Sequence, residues 1–163
     1  MFRKILWLLL LGIIVIQFIH PKPNKTKGDQ PNYIGKVYPV PEKVHAILVK
    51  ACLDCHSNNT RYPWYSNLQP ADWWMAGHIR KGKAELNLDD FTKRSPRYQY
   101  NKMEAVADEV KKGDMPLNSY LWIHKDARLT DDEKNTIMDW AAGVQDSLKA
   151  KWPMDSLLRK KRV

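Results

Sequence analysis

The sequence predicts an all-α domain, and three observations carry that expectation. Apolar residues recur at three- and four-residue steps from Pro41 onward. No window alternates apolar and polar residues between turn signals, as a half-buried strand would. The chain's two cysteines, Cys52 and Cys55, stand three apart in a helix-periodic stretch and are followed at once by His56. At 163 residues there is room for one domain of ordinary size. An apolar content of 44% excludes a disordered chain, and 28% charged residues exclude a polytopic membrane protein.

Residues 1–20 read as a membrane anchor or signal segment. Arg3 and Lys4 precede an apolar run from Ile5 to Ile19. Fifteen residues of helix span about 22 Å, short of a hydrocarbon core of about 30 Å unless flanking side chains reach into the interfaces. The residues after the run (Gln17, Phe18, Ile19, His20, Pro21) lack the small pair that a signal peptidase needs, which favours an uncleaved anchor. Residues 21–41 carry Pro21, Pro23, Pro31, Pro39 and Pro41, a composition expected to form an extended, solvated spacer.

The domain is expected over 42–150, with four helices. The first starts behind Pro41, carries Val44, Ile47, Leu48 and Ala51 on one face and runs into Cys52. The second follows Pro70, turns Trp73, Trp74, Met75 and Ile79 inward and ends near Gly82. The third shows Met103, Val106 and Val110 and stops at Gly113. The fourth opens with Thr130 and Glu133 in capping-box relation and aligns Ile137, Trp140, Ala141, Val144 and Leu148. Residues 151–163 form a basic tail closing with Arg159, Lys160, Lys161 and Arg162. The chain's +9 comes from 27 cations and 18 carboxylates; without those four and the two cations ahead of the anchor, 21 cations face 18 carboxylates, or +3. A domain so mildly basic, with no interleaved aromatic and basic surface, points away from a nucleic-acid partner.

The Cys-Leu-Asp-Cys-His stretch carries the chemistry. Thiols three apart on a helix lie on nearly one face, where both can add to the two vinyl groups of a single haem, and a histidine directly after them falls beneath the iron. A thioredoxin-type dithiol would open a helix after a buried strand, whereas here a helical pattern precedes it. A zinc site would need further ligands from His56, His78 or His124 at irregular spacing. Cys52, Cys55 and His56 are therefore read as the attachment site of one haem c.

A sixth iron ligand has eight sequence candidates: Met75, Met103, Met115, Met138, Met154, His45, His78 and His124. Met103 and Met138 sit where core packing explains them, Met154 lies in the tail, and His45 reads as a surface residue. Met115 differs, because Gly113 ends a helix and Pro116 holds the residue before it extended, so that its thioether projects from a loop. His78, His124 and an open site stay as alternatives. The long connections 57–70 and 114–129 are rich in aromatic residues, as loops closing on a large flat apolar group would be; Tyr62, Trp64, Trp73 and Trp122 are candidates to line it, and Arg61 and Arg80 to meet its carboxylates.

The stretches YPVPEKVHAILVKACLDCHSNNTRYPWYSNLQPADWWMAGHIRKGKAELNLDDF and GDMPLNSYLWIHKDARLTDDEKNTIMDWA resemble the bacterial haem-binding domain family with a single CxxCH, related to class I c-type cytochromes. The likeness runs from about Tyr38 to Ala142. It implies a membrane-anchored monohaem cytochrome, with the family's CxxCH on Cys52, Cys55 and His56 and its late Met-Pro pair on Met115. Haem is attached outside the cytoplasm, so the expected location is the bacterial inner membrane, single-pass, with the domain facing the periplasm. The expected role is one-electron transfer to redox partner proteins through a His56/Met115 pair. The rival is a haem-based peroxidase or a gas or redox sensor with an open distal position.

Overall fold

The computed structural model describes residues 1–158; four cations of the basic tail, Arg159, Lys160, Lys161 and Arg162, lie outside them. The described residues form eight helices: α1 (Phe2–Ile16), α2 (Glu42–Ala51), α3 (Leu53–His56), α4 (Ala71–Glu85), α5 (Pro96–Lys112), α6 (Asn118–Leu121), α7 (Asp131–Lys149) and α8 (Met154–Leu157). Single 3-10 turns at Ile34–Lys36, Trp64–Asn67, Leu88–Asp90 and Lys125–Ala127 punctuate the connections. Extended pairing among these residues is limited to one bridge between Lys25 and Asn59, so the all-α expectation holds.

The core forms where α5 and α7 pack along their length and α2 lies across α7. Val44, Ile47 and Leu48 of α2 meet Met103 and Val110 of α5 and Ile137, Ala141, Val144 and Leu148 of α7. Local chemistry fixes the ends of these helices. Ser95 caps α5 through the Tyr98 amide with Pro96 as its first residue, and Gly113 closes it in the left-handed region at φ 78°. Thr130 and Glu133 cap α7 reciprocally, as their spacing predicts.

Three expectations are corrected. Residues 21–41 are no free spacer. Ile34 is fully buried and Tyr38 nearly so, in the same core as Phe91 and Leu88, and the Tyr38 hydroxyl donates to Gln99 Oε1 at 2.6 Å. Proline limits regular structure in this stretch to the 3-10 turn at Ile34–Lys36, yet burying the two apolar side chains stabilises it more than leaving them solvated would. Residues 151–158 are likewise part of the fold, since Leu157 is fully buried and Asn101 Nδ2 donates to its carbonyl at 2.8 Å. In α4, Trp73 and Trp74 face outward, 40% and 46% exposed, and the helix runs three residues beyond Gly82; its inward positions are taken by Asp72 and Ile79.

The expected anchor is the 15-residue α1, with every side chain of it outside the core. Among the described residues no helix is long and apolar enough to cross a membrane. The end of α1 is fastened to the domain: Gln69 N–H donates to Gln17 Oε1 at 3.0 Å, Trp73 Nε1–H to the Ile19 carbonyl at 2.9 Å, and His20 Nδ1 lies 2.7 Å from Asp72 Oδ2.

Candidate functional site

Helix α2 does not run smoothly through the cysteine motif. It ends at Ala51, Cys52 breaks the backbone at φ −125°, and Leu53–His56 form a separate turn. Both Cys55 and His56 amides donate to the Cys52 carbonyl, at 3.2 and 3.0 Å, so the one-turn spacing survives the break and the motif is held as a compact unit. Both thiols are free and partly buried. Burial, with the neighbouring Cys55 adding to it, pushes Cys52 up to about 12; burial and the Asp54 carboxylate push Cys55 up to about 11. At neutral pH each is a thiol rather than a thiolate metal ligand.

His56 has a defined tautomer. Its Nδ1 stands 3.0 Å from the Leu86 carbonyl oxygen. A carbonyl only accepts, so Nδ1 carries the proton and Nε2 keeps its lone pair. Desolvation lowers the imidazole's pKa, with the Leu86 and Gly82 carbonyls opposing it in part, and the ring is neutral at pH 7. A neutral imidazole oriented through its other nitrogen is the form that binds iron.

Helix α4 lies against the motif at Gly82, where a Cβ would stand 2.9 Å from the Cys55 carbonyl oxygen and 3.1 Å from its Cβ. Only glycine permits that approach. Asp54, between the two cysteines, is buried and held by four donors. Arg61 gives its amide at 3.0 Å, Nε at 3.1 Å and Nη2 at 3.2 Å, and the Tyr120 hydroxyl donates at 2.7 Å. Burial and that bond raise the Tyr120 phenol far above its ordinary value. The Tyr120 ring stacks on His124 with centroids 4.2 Å apart, and His124 Nε2 lies 2.7 Å from the Tyr65 hydroxyl.

A cavity of about 40 Å³ opens beside Cys55, walled by Trp74, Met75, His78 and Ile79 of α4, Pro63 and Tyr65 of one loop, and Leu117, Tyr120, Ile123 and His124 of the other. Both aromatic loops thus close on one apolar space, as their composition predicts. The lining differs from expectation: Tyr62, Trp64, Trp73 and Trp122 are outside it, Arg61 borders it but is tied to Asp54, and Arg80 is exposed. Of the sixth-ligand candidates, Met75, His78 and His124 line it, while Met115 is half-buried two residues before Leu117 and does not. Met103 is fully buried in the core, Met138 packs against it, Met154 is 41% exposed, and His45 is exposed, as the helix pattern predicts.

The residues present fit a haem in their donor chemistry: two thiols one turn apart, an imidazole with a bare Nε2, and apolar walls. Space for a macrocycle requires the two loops to part, since 40 Å³ is the scale of one or two waters. Among the described residues no three His, Cys, Asp or Glu side chains converge as a metal site, so the zinc alternative gains no ligands. Sequence reasoning missed the Leu86 carbonyl, which has no sequence signal, and the clasp of Asp54, Arg61 and Tyr120. It passed over Gly82 as a helix end, although a glycine inside a helix signals close approach.

Comparison with curated proteins and comparison with solved structures give no match. A family profile described as haem-binding domain matches residues 11–143, from inside α1 to the middle of α7 and across the whole cavity. With more than half its length matched, and with the donors and walls such a group needs gathered in that span, the chain belongs to the haem-binding domain family.

Proposed function

We propose that the protein is a monohaem c-type cytochrome that carries single electrons outside the cytoplasm of a bacterium, held at the inner membrane by residues 1–20. Cys52 and Cys55 hold the haem through thioethers, and His56 is the proximal ligand. The observation that carries this reading is the His56 Nδ1 bond to the Leu86 carbonyl, which presents a neutral Nε2 directly after the two thiols. Haem supplies a reversible one-electron couple, and the protein sets its potential through the ligands and the apolar walls.

Met115 is the distal ligand in this reading. Its support is its place in the loop between the Gly113 cap and Leu117, which lines the cavity. A thioether there raises the potential and closes the iron to substrate, which suits a carrier. The rival reading, a peroxidase or sensor with an open or weakly held distal position, draws on the absence of Met115 from the cavity lining.

The test is the spectrum of the full chain matured with cytochrome c attachment machinery. One covalently bound haem per chain in alkaline pyridine and a six-coordinate low-spin ferric state support the carrier. A high-spin ferric state with carbon monoxide binding on reduction supports the rival, and two free cysteines overturn both.

A further inference from the structure

Six of the domain's exposed large apolar side chains belong to the loop before α4, the first turn of α4 and the end of α6, next to the end of α1, while Val37, Trp152, Met154 and Leu158 lie elsewhere in the chain. Trp64 is 77% exposed, Trp122 78% and Ile123 61%; Leu68, Trp74 and Trp73 follow at 50, 46 and 40%. They form one patch. Trp64 packs edge-on against Tyr65, Tyr65 against His124, and Tyr65, Trp74 and Ile123 share one cavity wall. Leu68 accepts the Asp72 amide at 3.0 Å, joining the loop to the first turn of α4. Water solvates four tryptophans, a leucine and an isoleucine poorly, and a contiguous apolar surface of this kind marks a contact with something apolar.

What covers it is indicated by the neighbouring element. Trp73 donates its indole N–H to the Ile19 carbonyl, and Gln69 and Asp72 hold Gln17 and His20. The patch therefore begins where α1 ends, with no free linker between them. From Ile5 onward α1 is apolar on all sides, and every residue of it except the half-buried Ile16 is exposed, the pattern of a segment solvated by lipid. Its 15 residues give about 22 Å against a hydrocarbon core of about 30 Å. Such a mismatch is relieved when flanking groups are drawn toward the bilayer. Tryptophan, with an apolar ring and one polar N–H, is the side chain that settles at the headgroup level.

We propose that the surface formed by Trp64, Leu68, Trp73, Trp74, Trp122 and Ile123 docks on the lipid bilayer, seating the mouth of the haem cavity on the membrane surface beside α1. This rests on the anchored reading of residues 1–20 and adds that the domain lies on the membrane instead of standing off it. The electron-transfer partner then meets the site at the membrane surface, by lateral diffusion.

The test uses the full haem-loaded chain in nanodiscs of phosphatidylethanolamine and phosphatidylglycerol containing a lipid with a photoactivatable diazirine near the headgroup end of its acyl chain. After illumination, peptide mass spectrometry should find lipid adducts in α1 and also in peptides covering 64–74 and 117–124, with none on the outer face of α7. In a Trp64→Ser, Trp122→Ser double variant, adducts in the two domain peptides should fall to the α7 background while those in α1 persist. Adducts confined to α1 overturn the docking surface and leave the anchor standing. A chain that gives no adducts anywhere, or fails to enter the nanodisc, overturns anchor and docking together.

Discussion

His56 donates its Nδ1 proton to the carbonyl of Leu86 across 3.0 Å, tying the cysteine motif to the first residue after α4. The bond does two things at once. It fixes the imidazole plane, and it leaves the opposite nitrogen as the ring's only lone pair. A motif that is a loose pentapeptide in sequence becomes a site because α4 ends where it does.

Replacing Met115 by Ala discriminates among the distal candidates. The parent is expected to be low-spin, and the Met115→Ala protein high-spin or water-ligated with a lower reduction potential. Met75→Ala, His78→Ala and His124→Ala, which alter the cavity wall, are expected to keep the parental spin state, with changes confined to stability. Electronic spectra and redox titration read the result. Loss of low-spin character in one of those three, with Met115→Ala unchanged, moves the ligand to that residue.

Glycines in two helices should respond to alanine with opposite signs. At Gly82 the added methyl meets backbone of Cys55 at 2.9 Å, and overpacking against an atom that is not free to rotate away should cost about 1–3 kcal/mol. At Gly143, where nothing lies within 4 Å, the same change should stabilise by about 0.5–1 kcal/mol through helix propensity. Urea unfolding of the two variants provides the measurement. Gly82→Ala as stable as the parent would show that α4 and the motif are separable.

Acid sensitivity should be partly traceable to Glu133. Its Oε1 lies 2.6 Å from Lys50 Nζ and its Oε2 accepts the Thr130 amide; the Lys50 hydrogen bond first, then the Thr130 amide, hold its pKa below the ordinary carboxylate value. The native state thus binds fewer protons than the unfolded chain. The contribution is whole above the unfolded carboxylate value and is lost as pH falls through the lower native one. Glu133→Gln retains the capping geometry and removes the charge. It should cost about 0.5–1 kcal/mol at pH 7, with water at this rim screening the pair, and parent and variant should converge at the most acidic pH of a urea series.

The Asp54 clasp gives a fourth outcome. Tyr120→Phe removes one of four donors to a buried carboxylate and should cost about 1–2 kcal/mol in urea unfolding. Tyr62→Phe, which takes one hydrogen bond from the Asn24 amide, should cost about 1 kcal/mol or less.

Helix periodicity made α2, α5 and α7 legible, because each buries one face against the others and its caps are written in Thr130, Glu133 and Gly113. It misread α4. The positions of Trp73 and Trp74 look like core from their hydrophobicity, yet they turn outward while Asp72, satisfied by Gln69 and His20, takes the inner place. Hydrophobicity reports a preference for an apolar surrounding and is silent on whether that surrounding is protein. The motif was legible because its chemistry is local, one turn of chain. The Leu86 carbonyl and the clasp at Asp54 were not, because backbone acceptors are carried by every residue and a loop's closure distance is set by tertiary packing.

The burial of Ile34 and Tyr38 redraws the minimal folding unit. A chain begun at Pro41, where the regular helices start, would leave the pockets of both side chains open beside Phe91 and Leu88. Each such vacancy is worth about 1.5–3 kcal/mol, against a total stability of about 5–15 kcal/mol for a domain. Asn24 extends the requirement, since its side-chain amide donates to the Ser57 carbonyl at 3.0 Å and to Thr60 Oγ1 at 2.9 Å, next to the cysteine motif. A soluble version made for crystallisation or electrochemistry therefore has to begin ahead of Asn24, and cutting closer would yield a domain that matures poorly for want of a strap, with its haem chemistry misjudged as a result.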